Sequence, residues 1–331
     1  MSNLIQWLEI ENYKCFEHLR VDGLKRVNLI GGDNNVGKTA FMEAGYVNIR
    51  TVDIKTFFSS LEQVDVYRNF ISLSKKNFAG NGFVSENTKI DFLKRLHSFN
   101  IKINDKCLDF KVEDNDFTKN LNLNLNDKIT TISINEYEKL DLNYNTTKYT
   151  FLPSLGVSNG KLNILFSIIQ QKRKKDELNN FINGFDSNIE EFDVINEIPS
   201  CFVKDRNKFL ALSEFGDGLT KFITIICAIW ASENGALFID EVENGIHYTK
   251  LDKLFEIIFV TAKKLNTQIF LTTHSKEAIE AFNRVQFNFD ESDSCYLEFM
   301  RAKKSGKIKV SNRDRERLKY SLEHNGRFRG E

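Results

Sequence analysis

The chain has no C-x-x-C pair: its five cysteines, Cys15, Cys107, Cys201, Cys227 and Cys295, stand far apart in 331 residues. That spacing argues against a zinc site and for reduced thiols in a cytoplasmic setting. A membrane-length apolar run is also missing. The longest candidate, around FITIICAIWA (Phe222 to Ala231), contains Thr224 and falls far short of the ~18 residues a spanning helix needs. No basic-then-apolar leader opens the chain, which argues against secretion, and no internal repeat or sustained heptad pattern is visible. Nor does one sign of charge dominate, because 46 Lys and Arg balance 46 Asp and Glu, so no whole-molecule field announces nucleic acid. What is present is a 41% hydrophobic sequence, long enough to bury a large core as one elaborated domain or two connected lobes.

The stretch GGDNNVGKTAFMEA (Gly31 to Ala44) reads G-x-x-x-x-G-K-T from Gly32 to Thr39. It follows the apolar RVNLI (Arg26 to Ile30), a buried-strand signal, and runs into a helix expected through Met42 and Val47. In that context the glycines let successive N–H groups, including those around Asn34, Asn35 and Gly37, turn inward on phosphate oxygens. Lys38 reaches the β- and γ-phosphates, and the Thr39 hydroxyl is placed to ligate Mg²⁺. Nucleotide binding is the expectation.

The second half carries matching chemistry. ALFIDEVENGIH (Ala236 to His247) is a short apolar strand ending in two carboxylates. Asp240 suits the Mg²⁺ shell and Glu241 the orientation or deprotonation of an attacking water, a task for a hydrolase. QIFLTTHS (Gln268 to Ser275) is a further buried strand that ends at His274, where an imidazole can sense or polarise the γ-phosphate. TKLD (Thr249 to Asp252) matches the guanine-reading T-K-x-D signature, yet its place in the first turn of an amphipathic helix favours an ordinary helix start. LSEFGDGLTKFITII (Leu212 to Ile226) sets Ser213, Gly216 and Gly218 at the start of a strongly apolar helix. This is a second anion-ready helix N-terminus, which makes physical sense if it caps the γ-phosphate of a nucleotide on a neighbouring subunit.

These motifs, in this order, together with the opening LEIENYKCFEHLRV, resemble the ABC-type ATPase heads of the SMC/RecF/OLD group. The resemblance is strongest to the compact OLD-like AAA ATPases (AAA ATPase family 15), many of which are antiphage or abortive-infection components. It covers Leu4 to about Arg50 and about Asn159 to Phe282. It implies that Gly32 to Thr39 are the Walker A loop, that Ser213, Gly216 and Gly218 are a signature acting in trans, that Asp240 and Glu241 are the Walker B pair, and that His274 is the switch histidine. ATP and Mg²⁺ are the implied cofactors. The signature departs from the transporter pattern at Asp217 and Leu219, and the glutamine that would complete the Mg²⁺ shell is not assigned, Gln63 lying in the middle segment. Full OLD nucleases continue into a TOPRIM domain, whereas 57 residues follow His274 here, so no TOPRIM domain is expected. The acid pairs Asp114/Asp116 and Asp290/Asp293 read as solvated loop residues.

The fold class expected is α/β, a P-loop NTPase of the ABC-head type with a mixed sheet, an N-terminal β-rich lobe and an inserted α+β segment. The organisation expected is an N-terminal head part with the Walker A loop (1–50) and an insertion that is strand-rich, then helical (51–196). A C-terminal head part with signature, Walker B and switch histidine (197–300) and a basic end (301–331) follow. In that end eleven Lys and Arg face four Asp and Glu. A solvated strand and helix is the bland reading and a docking surface for nucleic acid or an acidic partner the sharper one. The function expected is a cytoplasmic ATPase that works as a head-to-head dimer or higher homo-oligomer and switches a separate nuclease or toxin effector in antiphage defence, without a membrane. The alternatives are a RecF- or SMC-like ATPase that clamps DNA in repair and a non-hydrolysing nucleotide sensor.

Overall fold

The computed structural model describes residues 4–76, 92, 95–115, 118–142 and 148–324. Asp116 therefore lies outside the described residues. The chain forms two compact units, one made of Met1–Leu4, Leu24–Lys38 and Thr146–Glu331, the other of Ile5–Gly23 and Thr39–Asn145.

The chain opens with a hairpin of β1 (Trp7–Tyr13) and β2 (Phe16–Asp22). It turns at Lys14–Cys15, and the pair Tyr13 and Phe16 closes it. Lys14 takes the left-handed conformation that the turn requires, at φ 54°. β3 (Val27–Gly32) then leads through the glycine loop into α1 (Lys38–Arg50). α2 (Ile54–Lys76) follows, and then β4 (Phe99–Ile103), β5 (Lys106–Asn115), β6 (Thr118–Leu125), β7 (Lys128–Ser133) and the short α3 (Ile134–Glu138).

In the second unit these strands make an antiparallel sheet of order β2-β1-β4-β5-β6-β7. The alternating TKNLNLNL of β6 buries Leu121 and Leu123, paired with Val112 and Phe110 of β5. Aromatic rings close the same core: Phe57 of α2 lies 4.9 Å from Phe110, and Phe58 lies 4.6 Å from Tyr137 of α3. Gln63 belongs to this packing, its Oε1 accepting from the Tyr46 hydroxyl and from Arg50, each at 2.5 Å.

The first unit continues with β8 (Tyr149–Leu152), α4 (Asn159–Gln171), α5 (Lys175–Phe185), β9 (Ile189–Ile195), β10 (Ile198–Val203), β11 (Lys208–Ala211) and α6 (Asp217–Ala231). After them come β12 (Ala236–Ile239), α7 (Leu251–Lys264), β13 (Gln268–Thr272), α8 (Lys276–Gln286), β14 (Ser294–Arg301), β15 (Ile308–Arg313) and α9 (Arg315–Glu323). The central sheet has the order β15-β14-β3-β13-β12-β8, parallel throughout except for β15. ALFI and QIFLT are buried at every position, as strands covered on both faces must be. α6 is apolar nearly all round and lies in the same core as Leu237, Ile239 and Phe255. This parallel order brings the C-terminal ends of β3, β13 and β12 side by side, the crevice where α/β sheets bind ligands.

Candidate nucleotide-binding and hydrolysis site

The glycine loop follows directly from how β3 ends. Gly32 is paired with Phe299 of β14 and takes φ +127°; a Cβ there would lie 2.0 Å from the Phe299 carbonyl oxygen. Only glycine allows β14 to run so close while the chain turns away. The turn continues through Asn35 at φ 59° and Gly37 at φ 89°. Asn34 and Asn35 are exposed at its tip, and the Asn35 carbonyl accepts from Arg301 at 3.1 Å. Lys38 is buried and curls back over the loop, its Nζ donating to the carbonyls of Gly32 at 2.8 Å and Asp33 at 2.7 Å. Burial lowers its pKa to about 8 against the opposing pull of Asp240, Glu241, Asp33 and Glu243. Thr39 is half-buried at the second position of α1.

Asp240 and Glu241 extend β12. Asp240 is 7% exposed and accepts from the Thr272 hydroxyl at 2.6 Å. That same hydroxyl accepts from the Glu241 backbone N–H at 2.8 Å, so one side chain of β13 fixes both acids. Glu241 sits at φ 48°, a left-handed conformation that costs a non-glycine residue roughly 1–3 kcal/mol and clusters at working sites. Its carboxylate is held from two sides, by Asn244 at 2.5 Å and by His274 Nε2 at 3.4 Å. The bond from His274 holds the carboxyl below its usual range, with Asn244 and Lys221 helping and burial opposing. His274 Nδ1 lies 3.1 Å from Lys38 Nζ. Four residues singled out by sequence, Lys38, Asp240, Glu241 and His274, thus share one small volume.

The signature segment stands apart. Ser213, in a short 3₁₀ turn, and Gly216 are exposed, and neither hydrogen-bonds to Lys38, Asp240, Glu241 or His274. Gly216 is the N-cap of α6 with no side-chain cap, and space beside it is open to 4 Å. Gly218 differs: a Cβ there would lie 2.4 Å from the Gly245 carbonyl, so its lack of a side chain has a packing cause within the same chain. The guanine-type TKLD is spent on structure. Lys250 donates to the Phe185 carbonyl at 2.7 Å, and Asp252 pairs with Arg284 at 2.7 Å.

Sequence reasoning did not name Thr272, Asn244, Glu243 or Lys221. Glu243 Oε1 accepts from the backbone N–H of His274 at 2.8 Å and of Ser275 at 3.2 Å, which fixes the histidine loop. Lys221 donates to the Asp240 carbonyl at 3.2 Å, and burial lowers its pKa to about 8. The polar residues packed around the strand-end acids, E-N-G after one strand and T-T before His274, were the available signal. Among the described residues of the basic end, Arg313 pairs with Glu298, and Arg301 donates to the Gly306 and Asn35 carbonyls. Asp290 accepts from Ser292, and Asp293 pairs with Lys263 at 2.9 Å. No helix among the described residues is long and apolar enough to cross a membrane.

The chain is 26% identical to a protein named "ATP/GTP phosphatase" from Helicobacter pylori, over 85% of this chain and 88% of that one. In structure it resembles the Smc head domain with an extended coiled coil, bound to the C-terminal domain of ScpA, from Pyrococcus furiosus. That match has a TM-score of 0.52 and 8% identity, over 98% of this chain and 99% of that one. A second similar structure is the SMC head domain from Thermotoga maritima, with a TM-score of 0.48 and 14% identity, covering 95% of this chain and 100% of that one. The fold is that of an SMC-type ABC-ATPase head with a mixed sheet, as expected from the motifs. The chain is an ATP-hydrolysing P-loop enzyme. Residues 27–280 match the family described as "AAA domain, putative AbiEii toxin, Type IV TA system", and the chain belongs to that family.

Proposed function

We propose that this ATPase is of the OLD-like kind and closes two copies face to face over ATP, with hydrolysis reopening them to switch a separate nuclease or toxin effector. The setting proposed is cytoplasmic antiphage defence, in keeping with a family description that names a toxin. Lys38 binds the phosphates with the backbone of Gly32, Asn34, Asn35 and Gly37, and Glu241 takes the proton of the attacking water. His274, next to both Lys38 and Glu241, couples the state of the phosphates to that base. Asp240 and Thr39 would hold Mg²⁺: a buried carboxylate and a hydroxyl are the hard oxygen donors this ion prefers. When bound, Mg²⁺ neutralises charge on the phosphates.

The observation that carries the two-copy reading is the start of α6. Ser213 and Gly216 are exposed, the helix has no side-chain cap, and neither residue hydrogen-bonds to Lys38, Asp240, Glu241 or His274. Such a terminus has orphan N–H groups and a positive dipole end suited to the phosphate of another subunit. Mixing Lys38→Ala with Ser213→Arg subunits tests it. Each variant spoils a different half of a composite site, so a mixed dimer should regain about one working site. Activity no greater than the sum of the separate variants would overturn the two-copy reading.

A further inference from the structure

Lys221 lies in the first turns of α6, three residues beyond Gly218, and is 6% exposed. Its ammonium donates one hydrogen bond, to the Asp240 carbonyl at 3.2 Å. Among the described residues it has no ion pair within 4.0 Å. Glu243 is its counterpart. One oxygen holds the N–H groups of His274 and Ser275, while the other is buried without a hydrogen-bond partner. Both groups flank the end of β12, and Glu243 is among the carboxylates whose field reaches the Lys221 ammonium.

Packing alone does not explain such a lysine. An ammonium taken out of water loses several kcal/mol of hydration, and an apolar side chain of similar volume fills the same space without that loss. The charge is placed where it acts on the strand-end acids. Because α6 also touches the Gly245 backbone through Gly218, the helix has two independent holds on the segment that follows β12.

We propose that Lys221 and Glu243 are positioning residues for ATP hydrolysis, an electrostatic tie within one chain that links the start of α6 to Asp240 and to the loop carrying His274. Movement at the start of α6 then reaches the groups that orient the attacking water, Glu241 and His274, without any contact between α6 and the nucleotide of its own chain. The inference rests on the reading of Asp240 and Glu241 as the hydrolytic carboxylates.

The test measures steady-state ATP hydrolysis and thermal unfolding of the full chain. Lys221→Met should lower kcat about tenfold or more, with KM for ATP within about threefold of wild type. Its melting temperature should be unchanged or higher, since a buried charge has been replaced by an apolar group. Lys221→Arg, which keeps the cation, should recover much of the lost kcat. Glu243→Gln should lower kcat similarly, and the double variant Lys221→Met, Glu243→Gln should be no slower than the worse single one, because coupled residues are not additive. The tie is overturned by a Lys221→Met kcat within about twofold of wild type, by multiplicative losses in the double variant, or by a kcat loss that tracks a lower melting temperature and that arginine does not restore. Glu241→Gln is assayed alongside. If it is inactive while Lys221→Met keeps a kcat within about twofold of wild type, the tie alone fails; if it hydrolyses at the wild-type rate, the carboxylate reading fails and takes the tie with it.

Discussion

His274 bridges Lys38 and Glu241: its Nδ1 lies 3.1 Å from the lysine ammonium and its Nε2 lies 3.4 Å from the glutamate carboxylate. Because an ammonium can only donate, Nδ1 accepts, and the ring hydrogen on Nε2 faces Glu241. One imidazole therefore connects the lysine proposed to bind the phosphates with the residue proposed as the base.

Glu241→Gln keeps the size of that side chain and its bond to Asn244 but removes the proton acceptor. ATP binding should persist while hydrolysis slows by about 10²-fold or more, and Lys38→Ala should lose binding itself. Binding by fluorescent-nucleotide titration and phosphate release on the same preparations separate the two. Unchanged phosphate release in Glu241→Gln would overturn the assignment of the base.

The depressed Lys38 gives a pH signature. Burial sets its pKa at about 8 with the loop as it stands, and a polyphosphate against the ammonium must raise it. Binding then takes up a proton above pH 8. ATP affinity should be nearly flat below that value and weaken as pH rises through it, by up to about tenfold per unit. Without nucleotide the sign reverses for stability. The folded pKa lies below the unfolded 10.5, so the penalty of burying this charge is full below about pH 8 and is relieved between about 8 and 10.5. Isothermal titration at about pH 7.5 and about pH 9.5 checks the first statement; equal affinities would show that Lys38 keeps its proton unassisted.

The motifs were legible because each is contiguous and ends a buried strand: Gly32 to Thr39 after β3, Asp240 and Glu241 after β12, His274 after β13. Their supports were not, because the partners come from other strands. Thr272 reaches Asp240 across 32 positions, and Lys221 does so across 19. No sequence period encodes such pairs. α2 was also missed. Its Phe57, Phe58, Leu61 and Val64 do stand at helical spacing and are buried, and Phe57 and Phe58 each contact the Phe110 ring of β5. The glycines of the signature looked alike in sequence, yet only Gly218 is pressed against backbone.

That difference between two glycines can be measured. Gly218→Ala forces a Cβ to within 2.4 Å of the Gly245 carbonyl, and backbone has to shift to relieve it. The expected loss is about 1–3 kcal/mol, read as a lower melting temperature. Gly216→Ala meets nothing within 4 Å at a φ of −67°, so stability should stay within about 0.5 kcal/mol of wild type. If the start of α6 serves a second subunit, Gly216→Ala should nonetheless slow hydrolysis at saturating protein. Equal melting temperatures for the two variants would contradict the close approach of Gly218 to Gly245.

Asp252 offers a check on base selectivity. In a guanine-reading loop the aspartate of T-K-x-D must face the base, with the lysine packed along it. Here Asp252 stands in the first turn of α7, bound by both of its oxygens to Arg284 of α8 at 2.7 and 3.0 Å, while Lys250 donates to the Phe185 carbonyl. Neither is placed to read a purine edge. Asp252→Asn should therefore leave the preference between ATP and GTP unchanged in direct competition. It should also cost no more than about 1 kcal/mol, because the ion pair it weakens is about half exposed on both sides. A fall in GTP turnover relative to ATP in the Asp252→Asn protein would assign this turn to nucleotide recognition and remove the helix-start reading.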